Sequence, residues 1–298
     1  MTTRTVQYDS IDTLSCLGYS EREATFLYLV ALYSGYFLRR QFSFAVKRHR
    51  GSAAAGLLAK AKRAGHVREI QCDPGRLLYQ LYAKRLYQLV GQNDSQNRRA
   101  KSSTEIRRRL IMLDYVLSHL EKEQFLDSEV SRQKFFAQFG VKADAIASAK
   151  QFGESLPISV QRPRRPDGNL TVRFPFIDEG QRSAAKFERF LSTHDKLLCS
   201  LPSFEVVYVA TTPEQFHQVR HLFKRAFPAM PATNLKLLSA IGAQLSAARP
   251  RASLVTELIE ESYPSFLHSA PVHMAAQDVR RQYVQTPLFS SEVPNDAV

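Results

Sequence analysis

Basic side chains are concentrated in one part of the chain, where their types and spacing suit contacts with a polyanion. Residues 1–110 contain 20 Lys and Arg against 8 Asp and Glu, whereas residues 111–298 contain 21 against 20. A cationic surface attracts a polyanion, and this attraction weakens as the salt concentration rises. The excess therefore predicts a polyanionic partner for the first part of the chain. The candidate DNA-binding residues are Arg39, Arg40, Lys47, Arg48, Arg50, Ser52, Lys60, Arg63, Arg68 and Arg76.

A second set of residues, further along the chain, could hold a divalent metal ion. Metal-assisted cleavage of a phosphodiester needs carboxylates that hold the metal and a lysine near the attacked phosphate. Asp167, Asp178 and Lys186 supply these residue types in an order similar to that of PD-(D/E)xK nucleases. Gly180 stands where the strand lysine of that pattern belongs, so Lys186 would have to act from the following helix. Residues 166–169 also suit a plain hairpin turn. We therefore favour a domain that is not catalytic and binds no cofactor. Mg²⁺ is expected only if the domain is a nuclease.

Two helices are expected to precede the most basic segment. Ser20 and Glu23 form a capping box ahead of an apolar run that ends at Gly35. A second helix is expected over residues 38–49, because its apolar side chains fall on one face. These helices would carry the first half of the basic residues.

The third expected helix is the candidate for reading DNA. Ser52 can cap its start, and Gly65 can close its end. One face is apolar at the i, i+3, i+4, i+7 spacing and consists of Ala54, Leu57, Leu58 and Ala61. The opposite face, which could slide into a groove, consists of Ser52, Gly56, Ala59, Lys60 and Arg63. Most cations would set the register on the phosphate backbone, while Ser52 and Arg63 are better placed for base edges.

Two short strands are expected directly after the third helix. They cover residues 67–71 and 77–82, and Pro74 and Gly75 occupy positions between them that a tight turn favours. Three helices followed by a β-hairpin is the order of a winged helix-turn-helix, a DNA-binding domain. Two other interpretations stay open: a solvated basic surface without a ligand, and an adaptor in which the same domain docks a protein.

Residues 91–150 are interpreted as a linker followed by helices. Residues 91–101 contain no apolar residue except Ala100, which predicts an exposed linker. Ser102 and Glu105 can cap a helix that reaches about residue 124, and a further helix is expected over residues 128–139. The first of these helices has the a/d spacing of a homodimer seam, but packing against its own domain is favoured because only about two heptads fit. The seam residues are Ile106, Leu110, Leu113, Leu117 and Leu120.

The remaining segments predict an α/β domain. Strands are expected over residues 158–161, 170–177 and 204–210, and helices over residues 183–201 and from residue 211 to about 227. The expected fold class is α+β, with an N-terminal winged helix-turn-helix, a helical linker and a small C-terminal α/β domain. The corresponding ranges are 1–90, 91–150 and 151–230, followed by an extension over residues 231–298 in which the sequence pattern fades.

The combination resembles the replication-relaxation family of bacterial plasmids and mobile elements. The PDG turn of that family would correspond to residues 166–168, and its strand end to residues 178–180. The family strand usually carries an acidic residue two positions before the Asp, where this chain has Phe176. The resemblance covers roughly residues 20–227. It implies DNA binding in plasmid replication, mobilisation or transcriptional control, with a degenerate nuclease-like domain.

Cysteine usage and hydropathy limit the remaining classes of protein. Cys16, Cys72 and Cys199 follow no metal-ligand spacing, which favours idle thiols in a reducing compartment. No apolar run approaches the roughly 18 residues that a membrane span needs, and the first ten residues lack the apolar core of a secretory signal. We therefore expect a cytoplasmic protein that has no membrane partner.

Overall fold

The computed structural model describes residues 10–47, 52–71, 77–141, 156–161, 170–180 and 184–239, and the fold is mixed α+β. The described residues divide into two compact units, a first unit over residues 10–117 and a second unit over residues 118–239. This division falls inside the segment 91–150 that was interpreted as a linker with helices. No helix within these ranges is long and apolar enough to cross a membrane.

The first unit consists of helices packed around a small sheet. A short helix, α1, covers residues 10–15. The elements that follow are α2 (Glu21–Tyr33), β1 (Tyr36–Phe37), α3 (Arg39–Ala45), α4 (Ser52–Arg63), β2 (Val67–Gln71), β3 (Leu77–Leu81), α5 (Lys84–Leu89), a 3₁₀ turn (Gln96–Arg98) and α6 (Ser103–His119).

Both ends of α2 follow from the local sequence. The Ser20 backbone N–H donates to Glu23 Oε2 (2.8 Å), and the Glu23 backbone N–H donates to Ser20 Oγ (3.4 Å), so the predicted capping box is confirmed. At the other end Gly35 has φ of +76°, a conformation that favours glycine. Its backbone turns the chain out of the helix and into β1.

The small sheet has the order β1-β3-β2, with all neighbours antiparallel. The predicted hairpin is present: Val67 pairs with Leu81 and Gln71 pairs with Leu77. The turn expected over residues 72–76 lies outside the described residues. Helix α3 is shorter than predicted, since it ends at Ala45 and Lys47 has φ of +53°. Residues 48–51, which include His49, also lie outside the described ranges.

Residues 91–101 are exposed or half-buried, as their composition predicts, but hydrogen bonds hold several of them against other parts of the first unit. Asn97 Nδ2 donates to the carbonyl oxygens of Ala31 and Leu32, each at 2.9 Å. Tyr36 Oη donates to the carbonyl oxygen of Arg99 (3.0 Å). The acceptors of these hydrogen bonds are main-chain carbonyl oxygens, two of them at the end of α2. The segment is therefore held in place by polar contacts and needs no apolar residue.

Helix α6 begins as predicted, and its side chains are buried on all faces from Arg107 to His119. Of the seam residues, Leu110, Leu113 and Leu117 are buried within the single chain. This burial agrees with packing of the helix inside its own chain. The helix stops at His119 rather than near residue 124, because Glu123–Phe125 forms a strand instead.

The second unit is built on one mixed sheet of order β4-β5-β6-β7-β8. Strands β4, β5 and β6 pair antiparallel, whereas β6, β7 and β8 pair parallel. The elements are β4 (Glu123–Phe125), α7 (Glu129–Ala137), β5 (Ser159–Gln161), β6 (Thr171–Asp178), α8 (Ala184–Cys199), β7 (Phe204–Ala210), α9 (Phe216–Ala226), a 3₁₀ turn (Ala232–Asn234) and β8 (Leu235–Ser239).

Helices α8 and α9 follow β6 and β7, which is the arrangement that a parallel pair of strands requires. Their apolar faces pack in one core with alternate residues of those strands. Phe187 of α8 and Phe223 of α9 belong to this core, together with Phe174 of β6 and Tyr208 of β7. Strand β8 was not expected, because the sequence signal beyond residue 228 is weak. Across the sheet, Arg173 forms ion pairs with Glu123 and Glu205, so that charged side chains join three of its strands.

Candidate nucleic-acid interface

Helix α4 presents two faces of opposite character. The buried face is the predicted one and consists of Ala54, Leu57, Leu58 and Ala61. The exposed face is a stripe of small side chains that ends in one cation. We call it the α4 outer face, and it consists of Ser52, Ala55, Gly56, Ala59 and Arg63.

Gly56 lies at the centre of the α4 outer face, where no residue of the described ranges requires a glycine. A Cβ atom placed on Gly56 meets no heavy atom within 4 Å. Glycine inside a helix costs about 1 kcal/mol relative to alanine. The helix therefore carries a destabilising residue at the position where an external surface could approach its backbone most closely. Ser52, predicted as the cap, is the first helical residue and is exposed.

Lys60, predicted to point outward, instead ties α4 to the start of α2. Its Nζ atom donates to Glu23 Oε2 (2.6 Å) and to the carbonyl oxygen of Gly18 (2.9 Å), and it lies 5.5 Å from the centre of the Tyr19 ring. Partial burial acts to raise the pKa of Glu23, but hydrogen bonds from Lys60 and the Ser20 backbone hold it below its ordinary value. Lys60 therefore links α4 to the start of α2, and we do not include it in the candidate interface.

The other two cations of α4 differ in their partners. Lys62 Nζ lies 2.7 Å from Glu69 Oε2, and both side chains are substantially exposed. Such a surface pair contributes little to stability, so Lys62 can exchange its partner at little cost. Arg63 is exposed and forms no ion pair with any residue in the described ranges. It is the cation best placed to meet a phosphate.

The β-hairpin contributes an arginine and a tyrosine. Arg68 Nε donates to Gln80 Oε1 (2.8 Å), and the Arg68 guanidinium carbon lies 5.7 Å from the centre of the Tyr82 ring. Tyr82 is 39% exposed, which is unusual for a large hydrophobic side chain in this fold. The sequence analysis treated Tyr82 only as the end of a strand. Its stacking with Arg68 gives the hairpin a flat, cationic surface.

Arg40, expected to bind DNA, forms a bidentate ion pair within the first unit. Arg40 Nη1 and Nη2 each lie 3.0 Å from one carboxylate oxygen of Asp114 in α6. Asp114 is 1% exposed and also accepts a hydrogen bond from Gln41 Nε2 (2.9 Å). Because its donors are directed at a buried carboxylate, Arg40 holds α3 against α6 and is not part of the interface.

The remaining predicted residues divide between surface positions and positions outside the described ranges. Arg39 is half-buried in the first turn of α3, and Lys47 is exposed just after that helix. Arg48, Arg50 and Arg76 lie outside the described residues. The interface is therefore assembled here from α4, the hairpin and α5.

Arg85 is a cation near the end of α4 that the sequence analysis missed. It is exposed on α5, directly after the hairpin. Burial and the positive charge of Arg85 together lower the pKa of His66, whose Nδ1 lies 2.7 Å from Tyr19 Oη. Burial, with the negative charge of Glu23, raises the pKa of Tyr19 to about 12. Because the Tyr82 and Ala83 backbone N–H groups donate to the carbonyl oxygen of His66, the start of α5 lies beside the junction of α4 and β2.

In the second unit, two of the three candidate nuclease residues, Asp178 and Lys186, lie within the described residues and have different surroundings. Asp178 is buried, and its two carboxylate oxygens accept hydrogen bonds from the Gly180 backbone N–H (2.9 Å) and from Tyr208 Oη. Lys186 is exposed on α8, and Asp167 lies outside the described residues. Within the described ranges, no group of three His, Cys, Asp or Glu side chains could hold a metal ion.

No protein-family model, curated protein or solved structure matches this chain. The resemblance to the replication-relaxation family depends on two short motifs. The strand end, residues 178–180, lies within the described residues, whereas the PDG turn, residues 166–168, lies outside them.

Proposed function

We propose that the first unit is a winged helix-turn-helix that binds double-stranded DNA, with α4 as its recognition helix. Three helices, α2, α3 and α4, precede the β2–β3 hairpin, and β1 completes the sheet. Helix α4 is the last helix before the hairpin, which is the position of the recognition helix in this class of domain. The excess of Lys and Arg over Asp and Glu in residues 1–110 supports a polyanionic partner.

The observation that carries the proposal is the α4 outer face itself. Its small side chains allow the helix backbone to enter the major groove, which is about 12 Å wide in B-DNA. Gly56 at its centre costs helix stability, although a Cβ atom there would meet no heavy atom of the described residues within 4 Å. A close approach by a ligand gives this residue a role that the isolated fold does not.

The residues around the α4 outer face have different roles in this proposal. Ser52, at the N-terminal end of α4, is placed to reach base edges first, because recognition helices enter the groove with their N-terminal residues. Arg63 lies at the opposite end of α4, and Arg68 and Arg85 lie on the hairpin and on α5. These arginines contact phosphates, which sets the register of the helix without specifying sequence.

The biological setting of this binding is proposed from the resemblance alone. A protein of the replication-relaxation type would act in plasmid replication, mobilisation or transcriptional control in the cytoplasm. The dimer seam on α6 is not part of the proposal, because its central leucines are buried within the chain. A protein-docking role for the same surface would lack the strong salt dependence that DNA binding requires.

The proposal is tested by measuring the fluorescence anisotropy of a labelled duplex of about 30 base pairs, roughly three helical turns, as the full chain is added. The titration is repeated over a range of salt concentrations. DNA binding predicts a dissociation constant that rises steeply with salt, and Arg63→Ala should flatten the logarithmic slope by about one. Selection from random duplexes then identifies the preferred sequence. Absence of salt-sensitive binding would contradict the proposal and favour the adaptor.

A further inference from the structure

The outer face of α9, in the second unit, is basic without interruption. Val219, Leu222 and Phe223 are buried in the core of the unit. The opposite side carries basic side chains at i, i+3, i+4 and i+7, which is the spacing of one helix face. We call these residues the α9 basic face, and they are His217, Arg220, His221 and Lys224, all exposed.

The α9 basic face is not neutralised by its own helix or by ion pairs. No acidic residue occurs between Phe216 and Ala226. Arg225, beside the face, forms an ion pair with Glu188 of α8, whereas Arg220 and Lys224 form none with any residue in the described part of the chain. On a fold whose residues 111–298 are nearly balanced in charge, this face is a local concentration of cations.

We propose that the α9 basic face is a second nucleic-acid contact, which binds the phosphate backbone of duplex DNA. Residues four apart on a helix have Cβ atoms about 5–6 Å apart, so that Arg220 and Lys224 form a cationic pair on successive turns. His217 and His221 add imidazole N–H donors along the same edge. Contacts of this kind hold the backbone and carry no sequence preference.

The chemistry of the face favours nucleic acid over a lipid surface. A helix that lies in a membrane interface inserts an apolar face between the headgroups. The apolar face of α9 is already buried in the core, and the basic face offers no large apolar side chain. This inference goes beyond the proposed role of α4, because it assigns a separate contact to the second unit.

The test compares two double variants of the full chain in the salt-dependent DNA titration. Arg220→Gln with Lys224→Gln removes two charges from the α9 basic face and keeps an unbranched polar side chain and nearly the same helix propensity. Arg189→Gln with Lys196→Gln removes two charges from exposed positions of the neighbouring helix α8 and is the matched control. We expect the α9 variant to flatten the logarithmic salt slope by about two and the control to leave it near the wild-type value. Unchanged thermal melting of both variants establishes that the fold is intact.

Three results would overturn the inference. The first is a wild-type slope in the α9 variant, and the second is an equal loss in both variants, which would reflect net charge alone. The third is loss of binding to phosphatidylcholine vesicles containing about one quarter phosphatidylserine while DNA binding is unchanged, which would assign the face to a membrane.

The result is separable from that for α4. If Ala59→Glu in α4 leaves DNA binding intact but the α9 variant loses it, the role proposed for α4 fails and the α9 contact stands. If the Ala59→Glu variant loses binding and the α9 variant behaves as wild type, the role proposed for α4 stands and the α9 contact fails.

Discussion

Arg40 and Asp114, which lie 74 positions apart in the sequence, form a bidentate ion pair with both N–O distances at 3.0 Å. The pair joins α3 to α6 in the first unit, and Gln41 donates a third hydrogen bond to the same carboxylate. Its position explains why one of the most basic segments of the chain is only partly available to a ligand. The pair stabilises the arrangement that presents α4.

Removal of the buried carboxylate should therefore destabilise the first unit strongly. Asp114→Ala leaves the Arg40 guanidinium and the Gln41 amide without their acceptor, and we expect a loss of about 3 kcal/mol in the free energy of unfolding. Urea denaturation followed by circular dichroism measures it. The control is Arg63→Ala, an exposed change that should stay within about 0.5 kcal/mol of wild type. Equal midpoints for the two variants would show that the pair is not structural.

Two glycines provide a matched test of the docking of residues 96–99. Gly35 and Gly91 both have positive φ, +76° and +71°. A Cβ atom on Gly35 would lie 2.0 Å from the carbonyl oxygen of Asn97, whereas one on Gly91 meets nothing within 4 Å. Gly91→Ala should cost about 1–2 kcal/mol from backbone strain alone. Gly35→Ala should cost clearly more, because the Asn97 backbone must also move. Similar losses in the two urea titrations would argue against the docked position of Asn97.

Gly56 allows stability and binding to be separated. Gly56→Ala fills open space and improves helix propensity, so the free energy of unfolding should rise by about 0.5–1 kcal/mol. The added methyl group lies at the centre of the α4 outer face, and DNA affinity should fall even though the protein is more stable. Thermal melting and the anisotropy titration measure the two effects on one sample. A variant that gains stability and binds DNA as tightly as wild type would count against close approach at Gly56.

Acidification should destabilise the fold through two histidines. Burial lowers the pKa of His194, although its hydrogen bond with the Phe190 carbonyl acts in the opposite direction. Burial and the positive charge of Arg85 lower the pKa of His66. Below about pH 6.5 the unfolded chain therefore binds protons that the folded chain does not, so the free energy of unfolding falls as pH drops toward the folded-state pKa values. Urea titrations at about pH 7.5 and 5.5 bracket this window.

His194→Gln keeps a donor for the Phe190 carbonyl and removes one of the titrating groups. The free energy of unfolding of this variant should depend less on pH than that of wild type. An unchanged or steeper dependence would show that His194 is not held in its neutral form.

Much of the fold was predictable, because it depends on local patterns. The buried stripe of α4 follows from the spacing of Ala54, Leu57, Leu58 and Ala61. Strand β7 has the bounds predicted from its nearly continuous apolar run, which is what a central parallel strand requires. The start of α2 depends on the capping box between Ser20 and Glu23, which are only three positions apart in the sequence.

The differences arise where distant partners decide the local structure. Glu123–Phe125 continues the helical pattern of α6 but forms β4, because β5 offers a strand edge with which it pairs. Strand β8 is short and weakly patterned, and it forms along β7. Neither partner is visible in a local window of sequence.

The same limit applies to the candidate interface. The charge distribution selected the candidate residues, but it could not tell which cations already had partners inside the chain. Lys60 is engaged by Glu23, 37 positions earlier, and Arg40 by Asp114, 74 positions later. Arg63 differs from them only in lacking such a partner within the described ranges, which the sequence alone does not reveal.

The most direct test of the central claim is the DNA affinity of Ala59→Glu, compared with that of Ala137→Glu. Both alanines are exposed, on α4 and on α7 respectively, so the two variants have the same net charge. A carboxylate on the α4 outer face would meet the phosphates directly, and like charges in an interface cost several kcal/mol, so duplex affinity should fall by more than about tenfold. At α7 the added charge should leave duplex affinity near the wild-type value. Equal affinities for the two variants, measured by anisotropy at the same salt concentration, would contradict the assignment of α4 as the recognition helix.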